Sequence, residues 1–179
     1  VIVHADGKPL LVDPGVSSYD DPQVRRRERG TAGHNTVMAD GMEQSEIWGV
    51  FRVGRRARAR NLEWDARHVG AGHNGYDHIG LRHRRCLEIS LRELVIRDEV
   101  NGRPGRPCRA HFHFAAGIHP QISTNGACWP GGSMNWRGGR GSPQSGWIAA
   151  GFNRRLPITV LRIEFNSGEK LTTRIRVET

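Results

Sequence analysis

Asp13 and His34 are the residues of this sequence whose types and spacing best fit a chemical role. Asp13 follows the apolar run 9–12, and His34 precedes the short run 36–38. Each run predicts a strand that ends in a turn. Neighbouring strands can bring two such residues together although 21 positions separate them. Zinc accepts carboxylate oxygen and imidazole nitrogen, so the pair predicts two ligands of a divalent metal site, and a third has to come from elsewhere.

Both residues also have ordinary structural explanations. Asp13 stands before a Pro-Gly turn, where aspartate often caps the turn that it begins. A single histidine is more often hydrogen-bonded within a fold than bound to a metal. His4 is a further histidine near Asp13 in the sequence, but Asp6-Gly7 predicts a hairpin turn that places His4 in the preceding strand. The spacing alone leaves the metal site and the structural explanation open.

A longer series of motifs resembles the C-terminal β-sandwich domain of the heparinase II/III family. The motifs are Asp13-Pro14-Gly15, Tyr19, Arg29, Gly33-His34-Asn35-Thr36-Val37, Asp40-Gly41, Gln44-Ser45-Glu46 and Trp48-Gly49-Val50-Phe51. The likeness is strongest over residues 9–51 and weak over residues 117–145. Gly75-Tyr76, the basic run 83–85, the run 94–100 and Gly146-Trp147 extend it over nearly the whole chain.

This resemblance implies a polysaccharide lyase that cleaves uronate-containing polysaccharides by β-elimination. In that family an N-terminal α-helical toroid precedes the sandwich and carries most of the catalytic groups. The toroid is missing from this sequence, so residues 1–179 are expected to be a single domain, a C-terminal fragment of a larger lyase. The expected fold is an all-β antiparallel β-sandwich, and the fragment alone is expected to lack lyase activity.

The resemblance also implies roles for individual residues. Asp13 and His34 would hold a divalent metal, with zinc as the expected ion, in a chiefly structural role. The third ligand would come from a His-x-His motif upstream of this sequence. Tyr19 is the catalytic candidate, as a proton donor, although it could instead cap a loop. The candidates for contact with the substrate are Arg29, Asn35 and Trp48.

Composition and patterning agree with an all-β fold. Hydrophobic residues make up 36% of the chain, and its 23 glycines favour many turns over long helices. Period-two or β-branched character predicts strands within residues 47–51, 56–62, 83–90, 94–100, 109–114, 157–165 and 171–177. The Gly-, Ser- and Pro-rich stretch 130–145 is predicted to be a long exposed loop. Trp129, Trp136 and Trp147 flank or occupy it and would either pin it to the sandwich or stack on sugar rings.

Charge favours an anionic partner. Lys and Arg number 27 against 18 Asp and Glu, which gives a formal net charge of +9. Nearly all of the cations are arginines, whose planar guanidinium suits carboxylates, sulfates and phosphates. An acidic polysaccharide is therefore the expected partner. A noncatalytic sandwich that binds acidic glycans is one alternative. A basic nucleic-acid-binding module is another, but no helix-turn-helix, zinc-finger or ribonucleoprotein motif supports it.

Other classes of function find little support. The three cysteines, at positions 86, 108 and 128, lack the spacing of a metal or redox motif and predict no disulfide framework. No apolar run reaches the length of a membrane span, so no membrane partner is expected. The compartment is not readable from the residues, and the resemblance alone favours a bacterial periplasmic or secreted location.

Overall fold

The structure is a computed structural model that describes residues 1–178, and most of these residues lie in strands. The strands are β1 (Val3–Ala5), β2 (Lys8–Leu11), β3 (Val37–Ala39), β4 (Ile47–Trp48), β5 (Arg52–Val53), β6 (Ala59–Trp64), β7 (His68–His73), β8 (Leu81–Ile89), β9 (Glu93–Gly102), β10 (Pro107–His113), β11 (Gln121–Ile122), β12 (Gly126–Trp129), β13 (Gly132–Arg137), β14 (Arg140–Gly151), β15 (Arg154–Asn166) and β16 (Lys170–Val177). The helix α1 (Pro22–Arg29) and two short 3-10 turns (Thr31–Gly33 and Asp77–Ile79) complete the regular structure of these residues.

Two antiparallel sheets form the body of the molecule. The smaller has the strand order β14-β15-β10-β3, and the larger has the order β11-β12-β13-β16-β9-β8-β7-β6. Buried side chains from both sheets belong to one hydrophobic core, including Phe112 and Leu161 from the smaller sheet and Ile96, Met134 and Leu171 from the larger. The expected all-β antiparallel sandwich is confirmed.

Strand β16 shows how the sequence pattern builds the two faces of the larger sheet. Leu171, Thr173 and Ile175 are buried, whereas Arg174 and Arg176 are exposed. Side chains of a strand alternate between the two faces of a sheet, so a period of two sends the apolar residues into the core. The outer face of the same sheet is left with charged side chains.

The N-terminal hairpin is confirmed. Asp6 and Gly7 adopt positive φ angles of 49° and 74°, as a tight turn between β1 and β2 requires. His4 therefore lies in β1, where its side chain is exposed. The hairpin positions β2, and β2 leads directly into Asp13.

The prediction of a long exposed loop at residues 130–145 was wrong, because β13 and the first half of β14 occupy this stretch. Four of its five glycines, all but Gly131, are packed too closely against their neighbours to leave room for a Cβ atom. A Cβ atom at Gly141 would lie 2.1 Å from the ring of Trp136, and one at Gly138, where φ is 92°, would lie 2.0 Å from the carbonyl oxygen of Lys170. Trp136 is buried, and Trp129 packs edge-on against Phe114. Both tryptophans pin this stretch to the sandwich.

Candidate functional site

Strands β2 and β3 bring Asp13 and His34 together because both lie beside β10. The amide of Val12, just after β2, donates to the carbonyl of His113 at 2.9 Å, and β3 pairs with β10 in antiparallel register. The Nδ1 atom of His34 lies 2.6 Å from Oδ2 of Asp13. The expected convergence of these two side chains is therefore present in the structure, while metal binding by them stays a prediction.

The side chain of Asn35 holds the backbone next to Asp13 and His34 in place. Its Nδ2 donates to the carbonyl oxygens of Val1 at 2.7 Å and Val12 at 2.9 Å. Its Oδ1 accepts the backbone amide of His113 at 2.6 Å. The side chain is only 3% exposed, so these contacts hold the strand ends in register. Substrate contact by Asn35 stays a prediction, and its amide group is already engaged inside the fold.

The Asp13–His34 pair is open to solvent, with side-chain exposures of 44% and 39%. The hydrogen bond from His34 holds the pKa of Asp13 below its usual value, against the opposing effect of partial burial. The amide of Gly15 also donates to Asp13, at 3.2 Å, so the aspartate caps its own turn as well. Because a carboxylate only accepts, Nδ1 of His34 donates this hydrogen bond, and Nε2 keeps its lone pair.

The donor types of this pair fit zinc, but two donors do not complete a site. Two ligands of one tetrahedral zinc ion lie about 3.4 Å apart. For both side chains to bind the ion through these atoms, Nδ1 and Oδ2 would have to separate from their 2.6 Å contact. Among residues 1–178 no group of three or more His, Cys, Asp or Glu side chains could hold a metal ion. A third ligand would have to come from outside the described residues.

A buried ionic network supports the loop that carries His34. Arg85 donates to the carbonyl of Asn35 at 2.6 Å and makes a two-point ion pair with Asp98 at 2.7 and 2.9 Å. His83 contacts the same carboxylate at 2.7 Å, and His73 lies 3.2 Å from His83. Burial alone would raise the pKa of Asp98, but the charge of Arg85 and the hydrogen bonds hold that pKa far below its usual range. Asp98 therefore stays ionised in the core.

A groove with a volume of about 480 Å³ adjoins the pair. Its lining includes His34, Arg29, Phe51, Gln44 and Arg56. The exposed Arg56 belongs to a basic cluster in the sequence, but only the fold shows that it shares a groove with His34. The arrangement can place an anionic group beside an imidazole.

Arg29 uses most of its guanidinium to hold one wall of this groove. Its Nη1 and Nη2 atoms donate to the carbonyl oxygens of residues 49–52, with the shortest contact, 2.6 Å, at Val50. These carbonyls belong to the turn between β4 and β5 and to the first residue of β5. The structure thus shows Arg29 positioning that turn, and its contact with substrate stays a prediction.

Tyr19 and Trp48 lie close to the same wall. The ring of Tyr19 is 45% exposed and stacks on Phe51, with ring centroids 5.6 Å apart. Trp48 is 54% exposed, and its Nε1 donates to Glu46 at 3.0 Å. Tyr19 therefore stands beside a residue that lines the groove. The catalytic role of Tyr19 and the substrate contact of Trp48 stay predictions.

Glu28 is a positioning residue that sequence reasoning missed. Its carboxylate is buried and accepts the amide of Ser17 at 3.0 and 3.1 Å as well as the Ser17 hydroxyl. These contacts tie α1 to the loop that carries Tyr19. Val24 and Glu28, four positions apart, are the buried residues of this helix. In the sequence, Glu28 stands out as the single acidic residue of an arginine-rich segment, and this was the signal that could have identified it.

Comparisons with known proteins identify a family and several similar structures. The family model described as Heparinase II/III-like, C-terminal, matches residues 1–178. Heparan sulfate lyase HepC from Pedobacter heparinus is similar in structure, with a TM-score of 0.74 and 16% identity over 97% of this chain and 29% of that chain. The structure named Heparinase III gives a TM-score of 0.75 and 21% identity over 97% of this chain and 28% of that one. No curated protein matches.

The chain thus spans less than a third of the length of these solved structures. At these identities the likeness shows the fold alone. In the part of the chain that the structure describes, no helix has the length and apolar character needed to cross a membrane.

Proposed function

Because the chain belongs to the family described as Heparinase II/III-like, C-terminal, we propose that it is the β-sandwich part of a polysaccharide lyase. The proposed reaction is β-elimination on an acidic, uronate-containing polysaccharide. The observation that carries the proposal is the Asp13–His34 pair beside a groove that contains Arg56. Residues 1–179 form one sandwich domain in this proposal, and the rest of the lyase is a helical toroid outside this sequence.

The chemistry of β-elimination explains why the groove beside His34 suits such a reaction. β-Elimination removes the proton on the carbon next to a uronate carboxylate and breaks the bond to the leaving oxygen on the following carbon. The proton becomes acidic enough only when the carboxylate is neutralised, and the leaving oxygen needs a proton. We assign neutralisation to Arg56, with Arg29 as a second candidate, and proton donation to the Tyr19 hydroxyl. The toroid supplies the base.

We further propose that Asp13 and His34 bind a divalent metal, with zinc as the expected ion. Asn35 binds the carbonyl of Val1, so any residue that precedes Val1 enters beside this pair. A third ligand from that segment would complete the site. When bound, the ion would supply a charge that orders the strand ends facing the groove.

The test uses the protein in which this chain is joined to its helical region. Product formation is followed by the absorbance of unsaturated uronate, and bound metal is measured by mass spectrometry. His34→Ala should lose the metal and most of the activity, whereas the matched variant His4→Ala, changed at an exposed histidine of β1, should retain both. The 179-residue chain alone should be inactive.

Two results would contradict the proposal. Turnover by the 179-residue chain alone would show that the sandwich does not depend on a toroid. A coding sequence without an upstream helical region would favour the noncatalytic glycan-binding alternative. Retention of metal in His34→Ala would remove the metal assignment but leave the lyase proposal standing.

A further inference from the structure

A second groove crosses the outer face of the larger sheet, on β9, β13 and β16. Its volume is about 650 Å³, and its lining contains four arginines and no acidic residue: Arg97, Arg137, Arg174 and Arg176, accompanied by Asn135 and Thr172. The period of two explains this composition, because alternate residues of β16 and β13 point away from the core. This groove shares no lining residue with the groove beside His34.

Carboxylates at the edge of this groove hold three of its arginines in place. Glu93 lies 3.0 Å from Arg174 and 2.7 Å from Arg176, and Glu88 pairs with Arg97. Arg137 makes no ion pair with any of residues 1–178. Two carboxylates for four guanidinium groups leave a net positive charge of two. The arginines are thus oriented but incompletely neutralised.

The second groove continues at both ends. A groove of about 430 Å³ shares Arg97 and Arg174 with it, reaches Arg67 on the β8 side, and is also lined by Glu88 and Glu93, the carboxylates that pair with these arginines. Another, of about 470 Å³, shares Asn135 and reaches Ser123 beyond β12. From β12 to β8 the strand order crosses four strand spacings, roughly 19 Å. The outer-face groove, as we call the three together, fits an extended ligand rather than a small anion.

The chemistry of the outer-face groove favours a glycan over nucleic acid. In the central part of this groove, on β9, β13 and β16, the aromatic lining residue is Trp136. Its side chain is only 3% exposed, so bases cannot stack on it. A concave surface also presents no helix or ribbon that could enter the major groove of a duplex. The amide of Asn135 and the hydroxyl of Thr172 can bind sugar hydroxyls, and guanidinium groups pair with carboxylates and sulfates.

We propose that the outer-face groove binds a linear acidic polysaccharide chain, as a glycan site separate from the groove beside His34. The ligand class rests on the proposed function, but the site uses neither Asp13 nor His34. Such a site would hold a polymeric substrate on the sandwich while another stretch of the same polymer lies at the other groove. The second attachment raises the local concentration of substrate.

The test measures binding of the folded 179-residue chain to immobilised heparan sulfate, hyaluronan and dextran. Heparan sulfate carries sulfate and carboxylate groups, hyaluronan carries carboxylates alone, and dextran is uncharged. We expect binding to both charged glycans, not to dextran. The double variant Arg137→Gln/Arg174→Gln should weaken binding at least about tenfold, because each lost charged contact contributes substantially.

The matched control is Arg82→Gln/Arg103→Gln, which removes the same charge at exposed arginines that do not line the outer-face groove. Its affinity should stay within about twofold of the unmodified chain, since distant charges are screened. Arg137→Gln alone breaks no ion pair, so its binding defect would not reflect misfolding, and thermal unfolding of each variant verifies this.

Several results would overturn the proposal. Equal losses in the groove variant and in the control would show that net charge, not the groove, determines binding. Unchanged binding in the groove variant would show that the glycan does not bind at these arginines. Tighter binding to duplex DNA than to either acidic glycan would show that the ligand class is wrong. Loss of binding in His34→Ala alone would move the glycan to the other groove. A lyase assay that fails while the outer-face groove binds glycan would refute only the proposed activity.

Discussion

A single buried amide determines the geometry of the candidate site. Asn35 joins the end of β2 to β10, and the backbone of Asn35 in turn receives Arg85. Buried polar groups are costly to leave unpaired, so such a residue can be replaced only by one that restores the same bonds. The exposed Asp13 and His34 meet because Asn35 holds the backbone beneath them.

Replacing Asn35 with alanine should therefore destabilise the whole fold. The change leaves the amide of His113 and the carbonyl of Val12 without the hydrogen bonds that Asn35 provides. We expect the free energy of unfolding to fall by at least about 2 kcal/mol, measured by urea denaturation. The control Asn166→Ala, at an exposed position of β15, should change it by less than about 0.5 kcal/mol. Equal stability of the two variants would show that the amide is not structurally important.

The buried ion pair beneath Asn35 leads to a second prediction. Asp98→Asn keeps the shape of the side chain but leaves the guanidinium of Arg85 without its counter-charge. Breaking a buried pair in this way costs about 3–5 kcal/mol. The comparison is Asp77→Asn, which weakens the exposed pairs with Arg60 and Arg82 and should cost no more than about 1 kcal/mol. Chemical denaturation of both variants distinguishes them, and a similar cost for the two would contradict the argument.

The strands and the helix differ in how far the sequence predicts them. Alternation of apolar and polar residues predicted β9, β10 and β16, because one face of each strand packs in the hydrophobic core. The helix α1 escaped prediction because Val24 is its only apolar residue, and an amphipathic pattern needs more. Its stability comes from capping by Asp21, which accepts the amides of Gln23 and Val24, and from the buried contact of Glu28. Composition was misleading at residues 130–145 because glycine serves both loops and tight packing.

The contact between α1 and the Tyr19 loop can be tested through Glu28. In Glu28→Gln the side-chain oxygen is neutral and accepts a weaker hydrogen bond from the Ser17 amide. The new NH₂ group is itself a donor, so it cannot accept the second hydrogen bond that Ser17 donates to Glu28. We expect amide hydrogen exchange at Ser17 and its neighbours to accelerate while the amides of β16 stay protected. The matched variant Glu63→Gln, on the exposed edge strand β6, should leave exchange at Ser17 unchanged. Unaltered protection at Ser17 in Glu28→Gln would refute the positioning role.

Polar contacts between residues far apart in the sequence are the features of this molecule that its sequence does not predict. The fold class and the meeting of Asp13 with His34 could be predicted, since turns and strand ends are local signals. The bonds that hold the site could not, because Asn35 reaches His113 across 78 positions and Arg85 reaches Asn35 across 50. No periodicity spans such separations. The positive charge is likewise visible in composition, while its division between two grooves appears only in the fold.

The stability of the whole molecule should fall steeply in mild acid. Burial, as the main cause, lowers the pKa values of His73, His111 and His113 to about 4. In the unfolded chain these histidines titrate near 6.5, so between about pH 6.5 and 4 the unfolded state binds more protons than the folded state. Stability is therefore fully present above this window and declines as the pH falls through it. Below about pH 4 the depressed pKa of Asp98 extends the decline, because its ionised form stabilises the fold.

Urea denaturation between pH 7.5 and 4 measures this decline, and one histidine allows its cause to be isolated. The Nδ1 atom of His111 is buried without a hydrogen-bond partner, so His111→Leu removes a titrating group without breaking a bond at this atom. The slope of unfolding free energy against pH should drop by up to about 1.4 kcal/mol per pH unit within the window, since one fewer proton is taken up. His4→Leu, at the exposed histidine of β1, is the matched control for replacing a histidine outside the core. A stability that stays constant from pH 7 to 4.5 would show that these histidines are protonated in the folded protein.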